Sequence, residues 1–305
     1  MIDFHTPDIA DRCWAEERLA GNSIRACEYN FTTLLVWAAG YQITIADVEG
    51  FLTVRLRGEG GFGYLWPAGN GDLSRVLTLL EADAAERGEP FRLLCLLEHE
   101  MARLNELRPG QFAFTPHRDS FDYLYEVDKL ADLGGRKLHA KRNHCKHFEE
   151  ENPSWRYSPM TAADLTECME LNDRWDAAGR VREGEEEAED IFNEKKGILL
   201  AFRHFDELGL EGGVLRVDGR VVAFTMANRL TADTFDVHFE KAFGEMQGDY
   251  AVINREFARQ IRRRHPEVKY LNREDDMGLE GLRRAKESYY PDLMAEKHSA
   301  EAVKP

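Results

Sequence analysis

The sequence predicts an α/β protein, α+β in its details, built as two tandem units that are each a twisted mixed sheet flanked by helices. Three observations predict it. A chain of 305 residues is long enough for two domains of ordinary size. Apolar residues switch repeatedly between period-two and helical spacing along the chain. The order of elements in the first half also corresponds to the order in the second, although the two halves share little sequence. The expected boundaries are a first domain over 1–125, a basic connecting segment over 126–150 and a second domain over 151–305.

The first half opens with a helix from about Asp8 to Ala20, carrying Trp14 and Leu19 as apolar anchors, and a second from Phe31 to Ala39 that Gly40 ends. Strands separated by turns follow: Leu52, Val54 and Leu56 alternate with Thr53, Arg55 and Arg57, the pattern of a half-buried strand. Asp72 is placed to cap a helix reaching Arg87, with Leu73, Val76, Leu77 and Leu80 at helical spacing. Phe91 to Leu97 reads as a buried strand, His99 to Leu107 as a short helix, and Phe112 to Phe114 as extended chain. A strand with Phe121, Tyr123 and Tyr125 on one face then leads into a basic helix.

The second half begins with a helix from Ala162 to Trp175, after Thr161. An acidic run from Glu183 to Asp190 enters the next helix. Asp218-Gly219 is a two-residue hairpin signal, followed by a strand through Thr234 to Phe243. A helix from Tyr250 to Arg264, a strand over Val268 to Asn272, a helix from Gly278 to Tyr289 and a last extended segment from Asp292 to Ala300 complete the order.

Composition narrows the function. Hydrophobic residues at 43% and charged residues at 31% describe a globular protein. The longest apolar run, from Leu34 to Ala39, is far short of a membrane span, so no transmembrane segment is expected. The N-terminus lacks the features of a signal peptide, and five scattered cysteines fit reduced thiols, which together point to the cytoplasm. A net charge of −16 excludes a general nucleic-acid coat. Against that background Arg136, Lys137, Lys141, Arg142 and Lys146, interleaved with His139, His144 and His147, form a sharp charge reversal. Such crowding needs an anion opposite: the protein's own carboxylates or a phosphate-bearing ligand. The spacing His144-Cys145-Lys146-His147 lacks a second ligand pair, so no metal is expected there.

The run from Leu130 to Phe148, LADLGGRKLHAKRNHCKHF, with the preceding DYLY (Asp122 to Tyr125), resembles the family named for the C-terminal domain of phosphatidylglycerol lysyltransferase. The resemblance continues through FDVHFEKAF (Phe235 to Phe243), GDYAVINREFA (Gly248 to Ala258) and NREDDMGLEGLRRAKESYYP (Asn272 to Pro291). Four blocks in order cover nearly the whole chain. The resemblance, with the element order of the second half, implies two tandem GNAT-like (acyl-CoA N-acyltransferase-like) folds. It implies an aminoacyltransferase-like enzyme that moves an activated acyl group, with aminoacyl-tRNA as a possible donor, to an amine or hydroxyl on a small-molecule or lipid acceptor. An acyl-CoA-dependent N-acyltransferase and a non-catalytic ligand-binding protein on the same fold are the alternatives.

Candidate residues fall in five places. Period two on the strand from Thr234 puts Asp236, His238 and Glu240 on one face, where a titratable group could act as base. Tyr289 stands where GNAT enzymes often carry a general acid. Lys137, Lys141, Arg142 and Asn143 in the basic segment, with Arg283 and Lys286 near the C-terminus, are candidates for phosphate. Lys241, Gly244 and Gly248 surround a strand-to-helix loop that in GNAT enzymes cradles the pyrophosphate of coenzyme A, though Glu245 and Asp249 intrude. Asn272, at the end of its strand, is a further binding candidate.

Overall fold

The computed structural model describes residues 1–58, 60–179, 185–244 and 246–303, with backbone alone for 175–192. The acidic run Glu183 to Asp190 and residue Glu245 therefore lie outside the residues whose side chains are described. Two compact units are present. One comprises Met1–Asp122, Asp275–Leu279 and Met294–Pro305; the other comprises Tyr123–Glu274 and Glu280–Leu293.

In the first unit, α1 (Arg12–Leu19) and α2 (Phe31–Val36) precede the antiparallel strands β1 (Thr44–Val48), β2 (Phe51–Gly58) and β3 (Gly61–Leu65), with short β4 (Ala68–Gly69) on β2. Helix α3 (Leu73–Arg87) starts where the Asp72 carboxylate accepts from Arg75 N at 3.1 Å and ends at Gly88 in the left-handed region. Then come β5 (Arg92–Leu96), α4 (Glu98–Leu107) and β6 (Phe112–Pro116). The sheet order is β1-β2-β3-β5-β14-β6, where β14 is His298–Ala302. Among the described residues of this sheet only β3 and β5 pair in parallel, over Tyr64–Leu65 and Leu93–Leu94.

The second unit holds β7 (Asp122–Glu126), α5 (Val127–Asp132), α6 (His139–Glu151), β8 (Arg156–Pro159), α7 (Leu165–Gly179), α8 (Glu185–Arg203), β9 (Glu211–Val217), β10 (Arg220–Thr231), β11 (Thr234–Ala242), α9 (Asp249–Arg264), β12 (Tyr270–Asn272), α10 (Glu280–Glu287) and β13 (Leu293–Ala295). Its sheet runs β13-β7-β12-β11-β10-β9-β8. In both sheets an antiparallel meander meets one parallel partner, which an antiparallel strand from a distant part of the chain then follows. This is the GNAT-like arrangement expected twice.

Three features differ from the sequence reading. The segment 126–150, read as a connector, forms α5 and α6 of the second unit. The last extended segment, read with the second domain, supplies β14 to the first sheet, where it pairs with β5 and β6. Edge strand β8 has no counterpart in the sequence reading. Its four residues, two of them half-buried, are too few to set up a visible alternation.

Candidate active site in the second unit

The site begins at a fork in the sheet. Strands β11 and β12 run parallel only over Thr234–Asp236 and Tyr270–Asn272. Beyond Asn272 the β12 chain turns away at Arg273, while β11 continues along β10 to Ala242. Glu240 stands four residues past the last paired position. Its Oε1 accepts from Arg273 Nη2 at 2.7 Å and its Oε2 from Asn254 Nδ2 of α9 at 3.2 Å.

Aromatic rings surround this carboxylate–guanidinium pair. The Arg273 guanidinium carbon lies 5.1 Å from the centroid of the Tyr289 ring and 5.7 Å from that of Tyr125. The two rings meet edge to face, with centroids 6.3 Å apart. The Lys141 ammonium, from α6, sits 4.1 Å from the Tyr289 centroid. Burial pushes the Tyr289 and Tyr125 hydroxyls above their ordinary pKa, against the opposing charge of Arg273, so both stay protonated at neutral pH. Burial opposes the charge on Arg273, yet Glu240 and the two tyrosines hold its pKa up. Burial, then the positive charge of Arg273, lowers the pKa of Lys141.

Glu240, Tyr289 and Lys141 are thus brought together as expected candidates. Asp236 and His238 lie elsewhere. Both faces of β11 are covered, and Glu240 is the one residue of the strand with intermediate exposure. A bulge breaks the alternation: Phe239 pairs with Met226 and Val237 with Ala227, leaving His238 as an extra residue. The Asn228 amide donates to Leu208 O at 3.0 Å, so its Oδ1 faces the imidazole and accepts from His238 Nε2 at 2.8 Å. His238 Nδ1 then faces Glu274 Oε1 at 3.4 Å and Asp236 Oδ2 at 3.7 Å. Burial lowers the His238 pKa, with Asp236 opposing. The three-residue face expected for β11 is therefore divided: Glu240 joins Arg273 and Asn254, whereas Asp236 and His238 join Glu274.

Among the described residues two groups bring metal-competent atoms within 4.8 Å of one another: Asp236, His238 and Glu274, and Cys27, Glu28 and Asp122 in the first unit. The second group already surrounds an ammonium, since Lys297 Nζ lies 2.6 Å from Asp122 Oδ1 and 2.8 Å from Glu28 Oε1.

The remaining candidates have specific surroundings. The Lys137 ammonium lies 5.3 Å from the centroid of the Tyr290 ring. Arg142 Nη1 donates to the carbonyls of Leu133 and Gly135, and Asn143 Nδ2 contacts His139 Nε2 at 3.2 Å. Next to them a cavity of about 370 Å³ is lined by Arg142 and Lys146 of α6, Arg255 and Arg259 of α9, and Asp132 and Glu149. Lys286, expected to reach phosphate, is buried; its ammonium donates to the carbonyls of Arg273 at 2.5 Å and Glu274 at 3.1 Å, which anchors the turn after β12. Arg283 is half-buried on α10. Asn272 is buried, and its side chain accepts from Glu274 N at 2.7 Å, shaping the same turn.

The strand-to-helix loop differs from an open phosphate cradle. Lys241 is buried against Glu194 at 2.7 Å. The Asp249 carboxylate accepts from Gly244 N at 2.9 Å and from Tyr250 N at 2.7 Å, occupying backbone donors at the start of α9. Gly248, at φ +97°, lies so close to α6 that a Cβ there would fall 2.3 Å from the His144 carbonyl oxygen.

Arg273, Asn254 and Tyr125 complete the centre without having been singled out as site residues. Arg273 and Asn254 lie within the matched blocks NREDDMG and GDYAVINREFA, and that position is the one signal in the sequence that marks them.

Two GNAT-like sheets in one chain, with a half-buried carboxylate–guanidinium centre at the fork of the second, define a tandem acyltransferase-type fold. The profile of the family described as "Phosphatidylglycerol lysyltransferase, C-terminal" matches residues 22–301, and the chain belongs to that family. A conserved protein of unknown function from Bacteroides thetaiotaomicron VPI-5482 is 36% identical, with a TM-score of 0.90 and coverage of 100% of both chains. L-PGS from Bacillus licheniformis shares the fold at a TM-score of 0.70 and 14% identity, over 99% of this chain and 93% of that one. An uncharacterized Mycoplasmoides gallisepticum protein, MYCGA3080, is 21% identical over 61% of this chain; the matched region spans 58% of that relative's length. Among the described residues no helix is long and apolar enough to cross a membrane.

Proposed function

We propose that the second unit is an aminoacyltransferase-like centre, which moves an activated aminoacyl group from aminoacyl-tRNA to an amine or hydroxyl acceptor. The observation that carries this reading is the Glu240–Arg273–Asn254 cluster, roofed by Tyr289 and Lys141, at the point where β11 and β12 part. Family membership supports it. The basic cavity between α6 and α9 supplies charge for a phosphate-rich donor within a chain that is otherwise strongly acidic.

In this reading Glu240 takes the acceptor's proton, Arg273 polarises the ester carbonyl, and the Tyr289 hydroxyl, kept protonated by burial, returns a proton to the leaving oxygen. The loop before α9 speaks against an acyl-CoA donor. Its backbone donors at Gly244 and Tyr250 already serve the Asp249 carboxylate, and a pyrophosphate brought there would meet that group rather than open N–H groups.

The test supplies the protein with a panel of labelled aminoacyl-tRNAs, with phosphatidylglycerol vesicles and soluble amines as acceptors and acetyl-CoA as the competing donor. Label should move from an aminoacyl-tRNA, and Glu240→Gln should cut the rate by about a hundredfold or more while the variant stays folded at the assay temperature. Product formed from acetyl-CoA and from no aminoacyl-tRNA would overturn the reading, as would full activity in Glu240→Gln.

A further inference from the structure

Asn254 is 2% exposed. Its Nδ2 donates to Glu240 Oε2, and the flipped amide would set one acceptor against another, so charge fixes this orientation. The other end of the amide, Oδ1, is buried and meets no donor. A buried carbonyl left in that condition is costly, and a fold rarely tolerates one without a reason.

A complementary defect lies on the other flank of the same carboxylate. Arg273 Nη2 is spent on Glu240 Oε1, while Arg273 Nη1 is buried and meets no acceptor. One carboxylate is thus bracketed by an acceptor that lacks a donor and a cationic donor that lacks an acceptor. Apolar filler would leave both unmet. A fragment carrying an N–H donor close to a carbonyl would meet both, and the negative charge of Glu240 between them favours an ammonium over a hydroxyl as the donor.

We propose that Asn254 is the residue that selects a free α-amino group on the transferred acyl unit, the ammonium donating to Asn254 Oδ1 while Arg273 Nη1 donates to the acyl carbonyl. The proposal deepens the aminoacyl-transfer reading and rests on it. Its consequence is chemical discrimination. An acyl group without the amine leaves Asn254 Oδ1 unpaired, and one with the amine acetylated offers only an uncharged N–H beside Glu240 and brings an acetyl group to be housed; a site built to bond an ammonium rejects both.

The experiment uses the full chain and three small probes: alaninamide, propionamide and N-acetylalaninamide, with binding followed by calorimetry. Alaninamide should bind at least about tenfold more tightly than the other two. Asn254→Leu should abolish that preference, whereas Arg273→Lys should weaken all three probes alike and keep it. Equal affinities in the wild-type protein, no alaninamide binding, or an undiminished preference in Asn254→Leu would each overturn the proposal. The wild-type comparison decides by itself if the leucine variant does not fold. The two readings also fail separately. Absence of transfer with the amine preference intact sinks the aminoacyltransferase, whereas transfer at equal rates from aminoacyl- and N-acetylaminoacyl-tRNA sinks the role of Asn254.

Discussion

Glu100 in the first unit offers a quantitative check on how burial acts in this chain. It is the third residue of α4, its side chain is 1% exposed, and its Oε2 accepts from Leu97 N at 2.9 Å to close the helix N-terminus. Burial pushes its pKa from 4.5 up to about 7, while the Leu97 N–H pulls weakly the other way. His99 beside it has its own pKa lowered by burial and brings no compensating charge at alkaline pH. The folded protein therefore holds this proton more tightly than the unfolded chain. The stability gained is present in full below about pH 4.5 and is lost as pH rises through about 7. At about 1.4 kcal/mol per pKa unit, a rise from 4.5 to about 7 corresponds to roughly 3 kcal/mol. Glu100→Gln keeps the acceptor for Leu97 N and cannot ionise. Urea unfolding at pH 4.5, 6 and 8 should show the variant equal to wild type at the first and more stable by about 3 kcal/mol at the last. A difference that does not grow with pH, or a variant less stable at pH 8, would refute burial as the cause.

Two further outcomes test the packing. Lys297 is 1% exposed between Asp122 and Glu28, and Lys297→Met strands the buried Asp122 carboxylate and the half-buried Glu28 carboxylate; a loss of about 3–5 kcal/mol in urea is expected, and a loss below about 1 kcal/mol would mean that the site rehydrates freely. Gly248→Ala places a methyl 2.3 Å from His144 O at a positive φ, so α6 must shift from α9; a melting temperature unchanged from wild type would show that this close approach is not required.

Much of this protein is legible in its sequence because the signals are local. Asp72 and Gly88 mark the ends of α3, the alternation around Val54 marks β2, and the four matched blocks identify the family before any contact is known. Residue types within those blocks also pointed to Glu240, Tyr289 and Lys141, which do meet in one centre. Tertiary structure decided the rest. Period two on β11 assigns faces, but both faces of this internal strand are covered, and the bulge at His238 shifts the phase partway along. Glu240 consequently acquires Arg273 only because β12 adds in parallel for three residues and then turns away. Lys286, which reads as a surface cation, is drawn under that turn, where its ammonium donates to the carbonyls of Arg273 and Glu274. Whether β14 completes the first sheet or the second is likewise a matter of backbone pairing between segments some two hundred residues apart, and side-chain periodicity carries no record of that choice.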